Sequence, residues 1–441
     1  MLRSLSRFSL LAAVMATAAS VAASGPAGAR PEPPAAIAPL GPDFLWGVAA
    51  SGFQMEGHAP DSNWSRYVAE GKTPDPYNDS VDFFTNYRAD IERARQLGVK
   101  VYRIGIEWAR VQPEPGVWSA EGLAFYDNVL SAMAEAGIRP MITLDHWVIP
   151  GWEVDRGGWN DPGIVEDWLT NARTVVDRFA HFNPLWVTFN EPAYYMLEEV
   201  LNGGIQASNV SAMSDRIAQA HNSIYDYIHQ VQPGAMVTSN TGYFPGVEPQ
   251  VNEPLIDRIA GKLDYLGIDY YFGQSPDTLA TTGRDMAEKW NAPLQPEGIY
   301  YALDHYARKF PGMPLYIVEN GMVERDKETR ADGYTRADNL RDTVYWMQRA
   351  KADGMNVIGY NYWSLTDNYE WGSYTPRYGL YTVDILHDPT LTRRPTDAVP
   401  AYTDIAHHGG VPADYRPTRA PAACSLVDAL ASCTDPVTLP R

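Results

Sequence analysis

The feature that most constrains this chain is a repeated alternation of short apolar runs with longer amphipathic stretches. Eight runs have the length and composition of strands: residues 44–50, 101–107, 139–145, 185–190, 235–240, 265–271, 315–319 and 357–364. Continuous apolar runs of this size, bounded by turn residues, fit strands buried on both faces. Between most of them, residues 81–97, 123–136, 165–179, 213–231 and 337–352 carry apolar side chains at helical spacing. Such units in one body predict an α/β fold, a single (β/α)8 TIM barrel with enlarged βα loops. The competing open, doubly wound sheet calls for a G-x-G-x-x-G turn after an early strand, and the sequence has none there.

The chain has 441 residues, 45% of them hydrophobic, enough for one large core. Arg3 and Arg7 precede an apolar block over residues 8–23, and small residues follow. This predicts an export signal within residues 1–29, cleaved somewhere in 22–29, and hence a secreted protein, extracellular or periplasmic. The block is short for a membrane span and no later run replaces it, so no membrane association is expected after signal removal. Residues 30–42 read as a Pro/Ala-rich linker, 43–406 as the barrel, and 407–441 as a tail wrapped on it or partly mobile. The only cysteines are Cys424 and Cys433, a close pair that an oxidising compartment would join. A zinc site needs more ligands at suitable spacing, and no metal is expected. The net charge of −19 comes with no basic cluster, which argues against nucleic acid and against an anionic substrate such as a sugar phosphate.

In a barrel of this kind chemistry collects at the C-terminal ends of the strands. The fourth strand reads L-W-V-T-F-N-E-P and ends at Asn190-Glu191-Pro192; the seventh reads L-Y-I-V-E-N-G and ends at Glu319-Asn320-Gly321. A glutamate after an apolar strand and before a strand breaker points into the barrel mouth. Either tripeptide alone is weak, but two such carboxyls can flank a glycosidic bond, one protonating the leaving oxygen and the other attacking the anomeric carbon or activating water. The eighth strand runs into W-S-L-T-D-N-Y-E-W, where Trp363, Glu370 and Trp371 offer a stacking plate and a hydroxyl-binding carboxylate. The 13 Trp and 27 Tyr suit a carbohydrate cleft, or equally the filling of a large core.

Taken together these segments resemble glycoside hydrolase family 1, the β-glucosidases, β-galactosidases and their relatives, over residues 44 to about 402. The likeness also rests on F-L-W-G-V-A-A-S-G-F-Q-M-E-G (44–57), Y-R-I-G-I-E-W (102–108), D-H-W (145–147), G-G-W (157–159) and R-Y-G-L (377–380). It implies a retaining β-glycosidase with Glu191 as acid/base and Glu319 as nucleophile. Gln54, His146, Asn190, Glu370 and Trp371 then hold the sugar hydroxyls, Trp363 lies under the ring, and Arg103 and Tyr271 touch the nucleophile. The substrate implied is a small or oligomeric β-glycoside, with no cofactor.

Departures from the family pattern are as telling. Asp269 stands where the family usually has Asn, and is expected either to repel Glu319 or to pair with a cation such as Arg103. Val148 replaces a usual acidic residue, the loop after Trp371 is shorter, and the stretch 194–212 reads as a trimmed loop, predicting a more open cleft. A transglycosidase using the same intermediate is the alternative within enzymology. A secreted glycan-binding protein without catalysis is the alternative outside it, and the presence of both glutamates argues against that.

Overall fold

The computed structural model describes residues 36–276, 278 and 288–439. The export signal expected in residues 1–29 and the first part of the expected linker lie outside the described residues. Eight parallel strands form the centre: β1 Leu45–Ala49, β2 Val101–Gly105, β3 Arg139–Asp145, β4 Leu185–Phe189, β5 Met236–Thr238, β6 Leu266–Asp269, β7 Leu315–Asn320 and β8 Val357–Trp363. β1 is flanked by β2 and β8, with Gly47 opposite Val101 and Leu45 opposite Gly359.

The barrel closes at a break in the fifth strand. β5 pairs with β4, Met236 opposite Leu185, while its short continuation Thr241–Gly242 pairs with β6, Thr241 opposite Ile268. Ser239 and Asn240 lie between the two pieces and form the seam. Side chains stitch it: Ser239 Oγ donates to Phe189 O (3.0 Å), and Gly267 N–H donates to Thr238 Oγ1 (3.1 Å). A TIM barrel thus stands in place of the open sheet.

Strand periodicity sets what faces inward. Val101, Met141, Leu185, Val187, Tyr265, Tyr316 and Val318 pack into one fully buried cluster. Two residues on from Val101 and Met141, on the same faces, come Arg103 and Thr143. The inner layer therefore changes from apolar to polar toward the strands' C-terminal ends.

The outer helices are α1 Phe83–Gln96, α2 Ala120–Glu135, α3 Ile164–Phe179, α4 Val210–Val231, α5 Glu253–Ile259, α6 Gly298–Lys309, α7 Arg336–Ala352 and α8 Ala398–His408. The five expected from apolar spacing are α1 to α4 and α7. Their ends follow from capping residues: Ser119 accepts from Gly122 N–H at the start of α2, and Thr335 and Asp338 form a capping box on α7. One expectation is corrected. The stretch 194–212 is mostly helix, with Pro192–Asn202 ended by Gly203 in the left-handed region (φ 82°), then a turn at Ala207–Asn209 and the start of α4. Proline inside the helix start and glycine just past its end drive this, and loop reading overlooked them.

Beyond α8 the chain runs over α7 and α6. Tyr415 Oη (2.7 Å), Thr418 N–H (2.8 Å) and Arg419 N–H (2.9 Å) all donate to the Asp342 carboxylate. Cys424 and Cys433 are joined by a disulfide. No helix among the described residues is long and apolar enough to cross a membrane.

Candidate active site

A cavity opens at the C-terminal mouth of the barrel. His146, Glu191, Asp269, Tyr271, Glu319, Trp363, Glu370 and Trp371, all singled out from the sequence, line it. Gln54, Asn190 and Arg103 lie in the buried layer behind, bonded to residues that line it.

Glu191 sits where β4 gives way to the Pro192–Asn202 helix. Its backbone is left-handed (φ 39°, ψ 61°), a conformation that costs a non-glycine residue about 1–3 kcal/mol and persists only where the surroundings enforce it. The turn aims the side chain into the mouth. Gly242 faces it so closely that a Cβ there would meet Glu191 Oε1 at 2.2 Å and the Tyr194 ring at 2.7 Å. Burial pushes the Glu191 carboxyl well above the usual range, and the Glu319 carboxylate adds to it; Arg103 and Lys289 pull the other way. Glu191 is therefore built to hold a proton.

Glu319, at the end of β7, is addressed by two donors. Arg103 ion-pairs with Oε1, and Tyr271 Oη donates to Oε2 at 2.7 Å. Arg103 is wholly buried and also donates to Thr143 Oγ1 (2.8 Å) and Asn190 Oδ1 (2.6 Å). Asn240 Nδ2 donates to the same Asn190 oxygen at 2.7 Å, which fixes the amide. The Asn190 NH₂ group thus faces His146 Nε2 (3.1 Å) and Glu191. Burial and the Arg103 charge hold His146 well below the usual histidine range, so its imidazole is neutral.

Asp269 closes the cluster from β6. One oxygen from each of Glu191, Asp269 and Glu319 lies within 4.8 Å of the others. Of the two expectations for Asp269, pairing with Arg103 is not what the structure has. The guanidinium is spent on Glu319, Asn190 and Thr143, and Asp269 Oδ2 accepts from Asn240 Nδ2 instead. Burial, then the charges of Glu319 and Glu191, push the Asp269 carboxyl well above its ordinary range. Burial and this repulsion together favour the protonated form of Asp269, since the one guanidinium is committed to Glu319.

The loop after β8 is anchored from below. Asp367 is fully buried and accepts from Gly379 N–H (2.9 Å), Thr382 Oγ1 (2.6 Å) and Arg377 Nη1 (3.2 Å). This brings R-Y-G-L under W-S-L-T-D-N-Y-E-W. Gln54 Nε2 then donates to Glu370 Oε2 and to Asn368 Oδ1, both at 3.2 Å, and Gln54 O accepts from Tyr369 N–H (2.9 Å). Glu56, two residues on, takes no part in the cavity; it accepts from Arg110 Nε (2.8 Å) and Tyr126 Oη (2.7 Å) and holds the segment down. Trp371 stacks on Trp147, with centroids 4.5 Å apart and planes 21° from parallel. Trp147 is locked in turn by its N–H on Asp145 Oδ1 (3.0 Å) and its Nε1 on Asn190 O (2.8 Å).

Sequence reading missed several residues. Asn240, at the barrel seam, orders both Asn190 and Asp269; a polar residue at a strand end was its only signal. Burial raises the Glu370 carboxyl above its ordinary range, and Lys289, 3.7 Å from Oε1, offsets part of that rise. Tyr194 and Phe244, stacked at 4.3 Å, make an apolar flank beside Glu191. Lys289 opens a three-residue 3-10 turn and Phe244 lies in an irregular segment, both too short or irregular for periodicity to carry information.

The arrangement joins a buried proton donor, a carboxylate held by a guanidinium, amide and carboxyl groups for hydroxyls, and flat rings. This suits a neutral polyhydroxylated ligand and proton-assisted displacement at a carbon between the two glutamates. Comparison with known proteins points the same way. The family model for Glycosyl hydrolase family 1 matches residues 38–239 and 227–411. Beta-glucosidase A of Thermotoga maritima is 27% identical over 83% of this chain and 98% of its own length. The structure of a Thermotoga maritima β-glucosidase in complex with deoxynojirimycin superposes with a TM-score of 0.73 at 25% identity, covering 85% of this chain and 100% of that one. The Galactolipid galactosyltransferase SFR2 of Arabidopsis thaliana is 29% identical over 76% of this chain, which matches 60% of that protein.

Proposed function

The chain belongs to glycosyl hydrolase family 1, and from that premise we propose that it is an exported, retaining β-glycosidase with Glu191 as acid/base and Glu319 as nucleophile. The observation that supports retention is the closeness of the pair together with its unequal surroundings. One oxygen of Glu191 lies within 4.8 Å of one of Glu319, and Glu319 is held by Arg103 and Tyr271 while burial favours a proton on Glu191, which suits direct attack by Glu319.

Glu319 attacks the anomeric carbon as the bond to the leaving oxygen breaks, and Glu191 delivers its proton to that oxygen. The glycosyl ester on Glu319 no longer carries a charge, so the repulsion that held the Glu191 proton falls away. Glu191 then removes a proton from water, whose oxygen attacks the same carbon and releases Glu319. Asn190, its NH₂ group turned by Arg103 and Asn240, is placed for the sugar 2-hydroxyl, a contact that tightens as the ring flattens. Gln54 and Glu370 take hydroxyls at the far end of the ring, and Trp363 lies beneath it.

A panel of nitrophenyl glycosides followed by NMR tests the reading. Hydrolysis of β-glycosides with the β-anomer released first is expected; an α-anomer first, or no activity on any β-glycoside, refutes it. The apolar flank of Tyr194 and Phe244 beside Glu191 favours a second product class, glycosyl transfer to an apolar alcohol, measured by adding such an acceptor and following product ratios. Export is supported by the signal-like residues 1–29 and the Cys424–Cys433 disulfide. N-terminal sequencing of the protein recovered outside the cytoplasm checks it, with a mature end within 22–29 expected.

Asp269 gives a pH prediction. Its folded carboxyl is raised, so its contribution to stability is complete below the unfolded value and drains away as pH rises from about 4 through the folded value. Asp269→Asn, neutral for neutral, removes that loss. The variant is expected to lose less Tm than the wild type between weakly acidic and alkaline pH, with kcat/KM at weakly acidic pH changed by no more than about threefold. Parallel Tm–pH curves would count against the proton on Asp269.

A further inference from the structure

The family match ends at residue 411, and the chain beyond it carries a docked element. Ala422 N–H donates to Glu297 Oε1 (3.0 Å), Leu426 N–H to Gln274 O (2.7 Å), and Val427 O accepts from Gly246 N–H (3.2 Å) and Tyr243 Oη (3.3 Å). Val427 is 1% exposed. It packs beside Gly298 of α6, where a Cβ would collide with the Tyr270 hydroxyl and would also stand 2.9 Å from Val427 Cγ2. Asp428 meets Arg308 and lies 3.5 Å from His305 Nδ1, while His305 Nε2 bonds Glu253 Oε1 at 2.9 Å.

The three groups that the turn holds are not remote from the cavity. Tyr243 and Gln274 line it, and Gly246 follows the lining residues Phe244 and Pro245. They belong to two separate βα loops, after β5 and after β6, which the tail ties together from outside. The inner face of the first loop is held independently, Phe244 N–H donating to Glu248 Oε2 at 2.8 Å. This wall, with Tyr194, follows the strands β4 and β5 and so stands across the barrel from Gln54, Glu370 and Trp371, which follow β1 and β8. On the reading proposed above, that is the side of the departing group.

We propose that the disulfide-closed turn Cys424–Cys433 is the outer support of the leaving-group subsite, and that it sets selection for extended aromatic aglycones. The turn touches no substrate. It fixes the position of two loops through Tyr243, whose ring packs outward on His305 and Tyr306, and through Gln274; the neighbouring Phe244 ring would pack on the aglycone. A few tenths of an ångström of slack there degrades packing on a large flat group and leaves chemistry at the anomeric carbon intact.

The test uses the full-length enzyme and two substrates of one glycone, a β-glycosyl fluoride and a 2-naphthyl β-glycoside. In Val427→Ala and in the double variant Cys424→Ser/Cys433→Ser, KM for the naphthyl substrate is expected to rise roughly tenfold. Its kcat, and both parameters for the fluoride, stay within about twofold. Reduction of the wild type, checked as folded by circular dichroism, is expected to reproduce the effect without any substitution. Unchanged KM for the naphthyl substrate, or equal losses on both substrates, overturns the proposal. A wild type inactive on both substrates instead removes the functional reading beneath it.

Discussion

Glu319→Ala is expected to lower hydrolysis of an activated aryl β-glycoside by roughly four orders of magnitude or more, since no other group can form the covalent intermediate. Added azide is expected to restore part of the rate and to yield the α-glycosyl azide, with configuration inverted. The structure says why rescue should work. Removing the carboxylate opens space on the face from which it attacks, and leaves Arg103 and Tyr271 oriented on an empty anion position. The same loss strands a buried guanidinium, which costs about 3–5 kcal/mol of stability. Folding must therefore be checked by circular dichroism before rates are compared; Glu319→Gln, which retains the volume, should be equally inactive. Full activity in either variant, or azide product of retained configuration, sinks the assignment.

Glu191→Ala should behave differently in a way that identifies its role. With a leaving group that needs protonation, the rate is expected to fall about 10²–10⁴-fold. With 2,4-dinitrophenolate, which departs unaided, the first step survives and the glycosyl-enzyme accumulates as a burst. Azide then attacks that intermediate and gives the β-glycosyl azide, with overall retention. The pH profile supplies a second readout. Because burial and the Glu319 charge raise the Glu191 carboxyl, the wild type stays protonated above the ordinary carboxylate range and loses activity as pH climbs through the raised value. In Glu191→Ala that alkaline limb should vanish. A limb that persists unchanged would assign it to another group.

Much of this was legible because both strands and site obey short-range rules. Each expected strand falls within a few residues of an observed one, since an apolar run between turn residues has few alternatives. The glutamates were legible because Pro192 and Gly321 end their strands. What was missed lacked such local marks. α5 has seven residues, the second of them Pro254, too short for periodicity to register. α6 and α8 begin on Gly298 and Ala398, with no side-chain cap to announce them. The surroundings of Asp269 were hidden for another reason. Its neighbour Asn240 is adjacent only through the seam of the barrel, 29 residues away in sequence, and no spacing rule connects them.

That seam-side cluster has a thermodynamic consequence. Of its three carboxyls only Glu319 is paired with the guanidinium, so burial and repulsion favour protons on the other two, and the mouth of the barrel at rest resembles a cation exchanger loaded with protons. Any ligand that brings its own positive charge to the anomeric position can displace one. A protonated ring amine should bind with proton release, its affinity climbing with pH until the amine itself is discharged. An oxocarbenium-like sugar is such a cation for the lifetime of the barrier crossing, and the same deficit of counter-charge favours it.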